Sequence, residues 1–449
     1  MNRVMLRFGA LRESLRGSLW FLPTVSVVVA LVAGVGLARV TVDPEGVFGS
    51  VVFGGGAGGA RGVLQVIAGS IITVTSVTFS LTVVALTTVA SQYSPRVLRT
   101  FLRDRANQTV LSTFLATFAF SLIVLRTIRA GEGDEVFVPR LALTVALLLS
   151  LASIAGLVYF IHHITQSIRV QSILSRVQRE TMEAVRRLYG DDPEPSPVDV
   201  APWPVPAHAL TLPAATGGYL QSLAASDLLE FADAHDLLIA YRRGPGERVT
   251  AGTVLAWAWH PTGTPADDIA ERLAGAVRAA VQIGKERTMQ ADIAFGLRQL
   301  VDIAIKALSP SVNDPTTAGA AMGEVATVVC ALAGRPLGPK VHNGAESRPR
   351  VLMPRPSFSE LLGLACAQPA LYGASDVTFL RDLFRLLTDL AEVAPTQARR
   401  QETAAAIDAV LARALDGLES ESDRAEARRS ATAARAALRG ALEPPIIAS

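Results

Sequence analysis

Hydroxyl side chains recur on one face of an uncharged segment in the first quarter of the chain. No Asp, Glu, Lys or Arg occurs between Arg61 and Arg96. Within this segment, five hydroxyl residues are spaced by three, four, seven and four positions, which places them on one side of a helix. They are Thr73, Ser76, Ser80, Thr87 and Ser91. Hydroxyls hydrogen-bond without carrying charge, so the pattern predicts either close helix packing or the water-facing wall of a pore.

Three further threonines, Thr75, Thr78 and Thr82, lie on a second face of the same helix. One face can therefore pack while the other faces water. The segment has no carboxylate that could relay protons or bind a cation, which argues against a coupled transporter. A passive pore needs no such residue.

A second group of candidate residues lies in the string Ala307-Leu-Ser-Pro-Ser-Val-Asn-Asp-Pro-Thr-Thr-Ala318. Ser309-Pro310 ends one helix, and Asp314 with Pro315 suits the N-cap and first turn of the next. The string is either a rigid corner between two helices or an anion site at the exposed amides of the second helix. The candidate residues are Ser309, Asn313, Asp314, Thr316 and Thr317.

Three arginines follow the hydroxyl-rich segment, at Arg96, Arg99 and Arg103. Their spacing places them on one side of a short interfacial helix. There they either contact anionic lipid headgroups, at roughly 1 kcal/mol each, or only fix the orientation of the chain in the membrane.

Other residue types give no sign of an enzyme. The adjacent His162 and His163 point in different directions from a helix, so we do not expect a shared metal. Cys330 and Cys366 lack metal-ligand spacing and are interpreted as small buried residues. We expect no catalytic residues, cofactor or metal, and the net charge of +2 does not favour a nucleic-acid partner.

Four segments are long and uncharged enough to cross a bilayer, at residues 19–37, 63–90, 109–125 and 141–161. Arginines concentrate before the first segment, between the second and third, and after the fourth. The positive-inside rule therefore predicts that both termini and the large polar part of the chain are cytoplasmic.

The sequence predicts a mainly α membrane protein in five parts. They are a four-helix transmembrane domain (1–165), a cytoplasmic helix extending the fourth span (166–190), a linker with a small β unit (191–265), a helical domain with the Asn-Asp-Pro corner (266–334), and a loop with C-terminal helices (335–449). The cytoplasmic part is expected to be an α+β domain with a small β-hairpin, formed by residues 237–241 and 254–259, and a helical C-terminal part.

Finer expectations concern four regions. We expect extended linker over 191–216, one long helix over 267–308, a loop over 334–357 and a last helix over 396–442. The charged residues of the 267–308 helix are interpreted as a solvated face rather than a buried network. They are Glu286, Arg287, Asp292, Arg298, Asp302 and Lys306.

The chain resembles a bacterial family of predicted membrane proteins, domain of unknown function 2254. The resemblance is carried by Ser91-Gln-Tyr-Ser-Pro-Arg96, by Glu286-Arg-Thr with Asp292, by the string 307–318 and, more weakly, by Phe160-Ile-His-His163. It covers about residues 10 to 430. At Ser311-Val312 the family more often has Gly-Ile, so the corner need not contain a positive φ. The resemblance implies a four-span domain with a cytoplasmic domain in the bacterial plasma membrane, and supplies no catalytic residues.

We therefore expect a multi-pass bacterial plasma-membrane protein, in contact with membrane lipid, that forms a homo-oligomeric channel or pore. The hydroxyl-rich second span would line the pore, and the cytoplasmic domain would gate or assemble it. Hydroxyls with arginines at the inner mouth would weakly favour anions. The alternative is a non-transporting sensor or scaffold that binds a protein partner or a small anion through its cytoplasmic helices. A membrane enzyme would need a nucleophile, metal cluster or acid–base pair, which the sequence does not offer.

Overall fold

The computed structural model describes residues 20–40, 54–92, 104–129, 137–190, 203–263 and 267–440, with the side chains of 90–92 and 267 left aside. The chain divides into two compact units, Met1–Ile173 and Leu174–Ser449. We call them the apolar unit and the polar unit.

Among its described residues, the apolar unit has four helices whose positions agree with the predicted spans. They are α1 (Phe21–Ala38), α2 (Ala57–Gln92), α3 (Arg105–Thr127) and α4 (Arg140–Ser167). Helix α3 packs against each of the other three, and its side chains Phe114 and Phe120 are fully buried beside Phe160 of α4. Gly34 of α1 lies so close to Ile123 of α3 that a larger residue would overlap it. The interior of this unit is therefore packed with side chains.

The polar unit begins in α5 (Val170–Tyr189), which the sequence predicted to extend the fourth span directly. The helix is interrupted between Ser167 and Val170, so that prediction was wrong in detail. Helix α5 buries one stripe, including Val177, Thr181 and Val185, as expected of an amphipathic helix.

Two small sheets follow. Their strands are β1 (Leu210–Pro213), β2 (Gly218–Leu223), β3 (Leu238–Tyr241), β4 (Arg248–Val249), β5 (Val254–Trp259), β6 (Val281–Gly284), β7 (Lys340–Asn343) and β8 (Pro349–Met353). The five-stranded sheet has the order β1-β5-β3-β8-β7, and the three-stranded sheet has the order β4-β2-β6. Strands β3 and β5 pair antiparallel, with Leu238 opposite Trp259, where the sequence predicted a hairpin.

The remaining helices are α6 (Ser226–Ala234), α7 (Asp267–Ala280), α8 (Ile293–Ala307), α9 (Pro315–Ala333), α10 (Phe358–Tyr372), α11 (Val377–Val393), α12 (Gln397–Gly417) and α13 (Glu421–Leu438). Helix α9 packs between α8 and α11, and α13 packs on α11 through small residues such as Ala427 and Ala431. These helices form the C-terminal layer of the polar unit.

Four predictions for this unit were wrong, three of them because strand pairing decides the local structure. The expected 267–308 helix is broken by β6, whose Ile283 pairs with Leu220 of β2. The expected loop 334–357 contains β7 and β8. Part of the expected linker 191–216 is strand β1, which pairs with β5, while 191–202 lies outside the described residues. The expected last helix is two, since the chain is extended at Leu418 and Ser420.

Five helices of the described residues are long and apolar enough to cross a membrane by length and composition. They are the four of the apolar unit and α9. The sequence placed α9 in the cytoplasmic part, as the helix that follows the Asn-Asp-Pro corner.

Candidate functional site

The hydroxyl face of α2 points outward from the apolar unit. Thr73, Ser76, Ser80 and Thr87 are exposed, whereas Thr78 and Thr82 of the second face are buried. The side chain of Ser91 lies outside the described residues. The two faces predicted from the spacing are thus separated, and the second one packs within the unit.

The hydroxyls of Thr73, Ser76 and Thr87 donate to the backbone of their own helix. Thr73 Oγ1 lies 3.0 Å from the carbonyl of Gly69, and Ser76 Oγ lies 3.0 Å from that of Ile72. A carbonyl can only accept, so each hydroxyl proton points toward the helix. The oxygen lone pairs remain available on the outer side, which makes this face an acceptor surface.

Glycines continue this face toward the N-terminus of α2, a feature that the sequence analysis missed. Gly62 and Gly69 are exposed, and a Cβ added at either position would meet no other atom within 4 Å. With Ser76 they form a row at seven-residue spacing, and Thr73, Ser80 and Thr87 form a neighbouring row at the same spacing. Rows of small residues at this interval are typical of a seam between helices in lipid, and the interval is readable from sequence.

Buried hydroxyls also occur inside the apolar unit. Thr117 Oγ1 of α3 lies 3.0 Å from Ser153 Oγ of α4, and both residues are fully or nearly fully buried. This pair acts as a contact between two helices rather than as a water-facing group.

Asp104 and His163 join the start of α3 to the end of α4. Asp104 Oδ2 lies 2.7 Å from His163 Nε2, and Asp104 Oδ1 accepts from the Ala106 amide at 2.9 Å. Tyr159 stacks on the His163 ring, with 5.6 Å between centroids. His162 is exposed, so the two histidines do point in different directions. The arginines Arg96, Arg99 and Arg103 lie outside the described residues.

The Asn-Asp-Pro string is a corner with a capped helix start. Asp314 Oδ1 accepts from the Thr317 amide at 3.0 Å, and Asn313 has a φ of +49°. The corner therefore does use a positive φ, at a residue type that tolerates it. Hydrogen bonds from Thr317 hold the pKa of Asp314 below its usual value.

An anion at this corner would meet the ionised Asp314 carboxylate, which already occupies the helix start. Thr316 is exposed beside it. Ser309 Oγ donates to the Lys306 carbonyl at 2.6 Å, which ties the corner to the last turn of α8. The geometry favours the rigid corner over the anion site.

A buried ion pair lies at the start of α8 instead. Arg287 Nε and Nη2 lie 2.8 and 3.0 Å from the two carboxylate oxygens of Asp292. Asp292, whose side chain is 3% exposed, also caps α8 by accepting from the Phe295 amide at 3.1 Å. Burial raises the pKa of Asp292, against the opposing effect of Arg287. The interpretation of these residues as a solvated helix face was wrong, because neither lies within a helix.

A cavity of about 360 Å³ opens beside this pair. It is bounded by the turn 244–247, the segment 354–356, Ala294 of α8 and Glu360 of α10. Gly246 has a φ of +89°, and a Cβ there would overlap the Asp292 carboxylate. A Cβ at Gly244 would overlap the Pro354 carbonyl. Glycine is therefore required at both positions for the turn to approach α8 and the segment 354–356.

The acidic side chains around the cavity have partners. Glu247 binds Arg243 at 2.9 Å and the Gly244 amide at 2.7 Å. Glu360 accepts from the Ser357 amide at 2.8 Å as part of the capping box of α10. The guanidinium carbon of Arg355 lies 5.7 Å from the centre of the Tyr189 ring, and the buried Nε of Arg355 has no hydrogen-bond partner among the described residues. No group of three or more His, Cys, Asp or Glu side chains suited to a metal occurs in the described part of the chain.

Comparisons with known proteins agree with an apolar, membrane-type chain. The family described as predicted membrane protein (DUF2254) matches residues 16–389. Uncharacterized proteins of Mycobacterium tuberculosis H37Rv and Mycobacterium bovis are each 38% identical over 442 residues, covering 97% of this chain and 84% of the relative. No solved structure is significantly similar.

Proposed function

Because the chain belongs to the DUF2254 family of predicted membrane proteins, we propose that it forms a homo-oligomeric channel or pore in the bacterial plasma membrane. The observation that carries the proposal is the exposed face of α2, with Thr73, Ser80 and Thr87 in one row. Since the interior of one apolar unit is filled by side chains, the water path runs between subunits. Helix α2 of each subunit contributes to its wall.

The same face supplies a reason for association. Gly62 and Gly69 allow the backbones of neighbouring α2 helices to approach closely. A hydroxyl that faces lipid has no hydrogen-bond partner outside its own helix, so it adds little stability unless another subunit packs against it. In our proposal the Gly62–Gly69–Ser76 row forms the seam between subunits. The neighbouring row of hydroxyls then faces the water path.

We propose four spans, with α9 as a core helix of the polar unit. Helix α9 is packed between α8 and α11, and Glu324 of α9 accepts from Ser175 at 3.4 Å. Helix α11 carries five charged residues, Arg381, Asp382, Arg385, Asp389 and Glu392. If α9 crossed the membrane, the charged side chains of α11 would have to enter the hydrocarbon with it, at a high free-energy cost.

The arginine bias of the predicted loops supports cytoplasmic termini. A tag inserted after Gly190 should then be accessible to a membrane-impermeant reagent only after the cell is opened. Labelling of this tag in intact cells would contradict the orientation.

The acceptor surface of α2 modifies the expected selectivity. Lone pairs directed outward suit cations and water better than anions, unless the hydroxyls rotate away from their backbone partners. We therefore assign no anion preference to the hydroxyl rows. Any such preference comes from Arg96, Arg99 and Arg103.

Purified oligomer in planar bilayers under a potassium chloride gradient tests the proposal. We expect discrete conductance that disappears when Ser80 is replaced by Phe, because the ring fills the proposed path. Thr24→Phe, at an exposed hydroxyl residue of α1, should leave the conductance unchanged. A silent wild-type oligomer of confirmed homogeneity would contradict the pore.

A second candidate function is a membrane sensor without transport. The cavity beside Arg355 favours it, because a ligand site in the polar unit does not require a conducting path. Crosslinking in native membranes followed by pull-down would separate the two functions, since a scaffold would retain a partner that an isolated pore lacks.

A further inference from the structure

Large apolar side chains are exposed at one end of the polar unit. Five such side chains are exposed among the described residues of this unit, and three of them lie at the turns that join α8 to α9 and α10 to α11. They are Val312, Leu371 and Tyr372, with exposed fractions of 42%, 52% and 54%. Of the other two, Val205 precedes β1 and Val393 ends α11. Single exposed apolar residues are ordinary, but a group of them indicates a contact surface.

The two turns lie at the same end of the helical layer. A Cβ at Gly319, in the second turn of α9, would overlap the carboxylate of Asp382, in the second turn of α11. Further along both helices, burial and the charges of Asp389 and Glu392 of α11 raise the pKa of Cys330 of α9 to about 11. Helices α9 and α11 therefore run side by side in the same direction. We call the end at which both begin, formed by residues 310–313 and 371–375, the corner end.

Helix α5 shows from which side the chain reaches this unit. Ser175, near the start of α5, donates to Glu324 of α9 at 3.4 Å. Arg335, which follows α9, donates to the carbonyl of Gly190, which follows α5, at 2.8 Å. Helices α5 and α9 therefore also run in the same direction. The chain enters α5 from the side on which the corner end lies.

The corner end projects beyond the start of α5. Ser175 lies five residues after Val170, the first residue of α5, or about 8 Å along the helix. Its partner Glu324 lies ten residues after Asp314, the N-cap of α9, or about 15 Å along that helix. The corner end therefore extends several ångströms further than Val170 toward the side from which the chain arrives.

We propose that the corner end rests on the surface of the lipid bilayer, with Val312, Leu371 and Tyr372 between the headgroups and the upper acyl chains. Helix α4, a predicted span, ends at Ser167, and two residues separate it from α5. The bilayer surface therefore lies on the side from which the chain arrives. Tyrosine suits this zone, because its ring is apolar and its hydroxyl can meet water. The contact rests on the proposed four-span arrangement and not on the pore.

The apolar character of the corner end determines the kind of lipid that it contacts. Neither the turn 308–314 nor the turn 373–376 contains Lys or Arg. Their carboxylates, Asp314 and Asp376, cap the helices that follow. Anionic headgroups are attracted by clusters of Lys and Arg, whereas apolar side chains enter the interface of any bilayer. The contact should therefore form in zwitterionic lipid alone.

Quenching of fluorescence by brominated lipid tests the contact. Val312→Cys and Tyr372→Cys, each in the full chain, are labelled with bimane and placed in phosphatidylcholine nanodiscs whose lipids carry bromine near the top of the acyl chains. We expect both labels to lose most of the fluorescence that they show in unbrominated phosphatidylcholine. The wild type gives the background, since burial raises the pKa of Cys330 and Cys366 and such thiols react slowly.

The matched control is Val393→Cys. Val393 is 49% exposed, so it is as accessible as Val312, but it lies at the opposite end of α11. Its label should keep its fluorescence in brominated lipid. Thr327→Cys, at an exposed position in the middle of α9, should also keep it, because α9 stays outside the bilayer in the four-span arrangement.

Three results would overturn the contact. They are unquenched labels at both Val312→Cys and Tyr372→Cys, equal quenching of these labels and that of Val393→Cys, and quenching that appears only after anionic lipid is added. Quenching of Thr327→Cys as strong as that of Val312→Cys would mean that α9 enters the bilayer, which contradicts the four-span arrangement together with the contact. No current is measured, so failure here is distinguishable from failure of the pore.

Discussion

Arg287 holds both carboxylate oxygens of Asp292, five residues further along the chain, while Asp292 caps helix α8. The arginine also lies over the Phe295 ring, 5.1 Å from its centre. One carboxylate thus ties the loop after β6 to the first turn of α8. The same carboxylate approaches the glycine turn that borders the cavity.

Removal of Arg287 should destabilise the polar unit strongly. Arg287→Ala leaves Asp292 buried and unpaired, a change that costs about 3 kcal/mol or more. Arg385→Ala removes an exposed pair, whose arginine is 67% exposed, and should cost less than about 0.5 kcal/mol. Urea unfolding of the full chain measures both, followed by tryptophan fluorescence, to which Trp257 and Trp259 of β5 contribute. Equal shifts of the midpoint would contradict the buried pair.

Two glycines with positive φ, Gly246 before β4 and Gly252 after it, should respond differently to alanine. Gly252 has a φ of +79° and open space around a Cβ, so Gly252→Ala should cost roughly 1 kcal/mol of backbone strain. Gly246→Ala has the same kind of strain and in addition pushes against Asp292. We expect Gly246→Ala to lower the free energy of unfolding by at least about 1 kcal/mol more than Gly252→Ala does. Equal free energies of unfolding for the two variants would mean that Gly246 does not closely approach the Asp292 carboxylate.

Asp104 and His163 should be energetically coupled in the apolar unit. We expect thermal melting in micelles to give a coupling energy of about 1 kcal/mol from the double-mutant cycle of Asp104→Ala and His163→Ala. His162→Ala, at the exposed neighbour, should be close to neutral. Additive single effects would mean that the 2.7 Å contact contributes nothing to stability.

The stability of the polar unit should depend on His342 in weak acid. The pKa of this imidazole falls from its usual 6.5 to about 4 on folding, so the unfolded chain binds a proton that the folded chain does not. The contribution is full above pH 6.5 and is lost as the pH falls toward 4, with a slope of at most about 1.4 kcal/mol per pH unit.

Urea midpoints measured through that pH window test the effect of His342. His342→Gln should flatten the pH dependence. Lys340→Gln removes a charge that lowers the pKa of His342, so the loss of stability should stop at a higher pH than in the wild type. If the stability of His342→Gln has the same pH dependence as that of the wild type, His342 does not cause this dependence.

Features set by local sequence were predictable. Apolar runs predicted the four helices of the apolar unit, because helix hydrogen bonds and hydrophobic length are both local. The pairing of Asp314 with Pro315 predicted the start of α9, because capping needs only the next few residues. The two faces of α2 followed from the 3.6-residue period.

Features set by distant partners were not predictable. Strand β6 forms because Ile283 meets Leu220, about sixty positions earlier in the chain, and β7 and β8 lie in a stretch whose Gly and Pro content indicated a loop. The sequence predicted that Arg287 and Asp292 lie on the solvated face of a long helix, whereas β6 interrupts that helix before either residue.

The central claim is that α2 lines a water path, and thiol accessibility during conduction tests it most directly. Ser80→Cys oligomers in planar bilayers should lose their current when a water-soluble methanethiosulfonate reagent is added. Ala155→Cys, at an exposed small residue of α4, and the wild type should keep their current. Current that persists in Ser80→Cys, or that is lost equally in Ala155→Cys, would contradict the pore lined by α2.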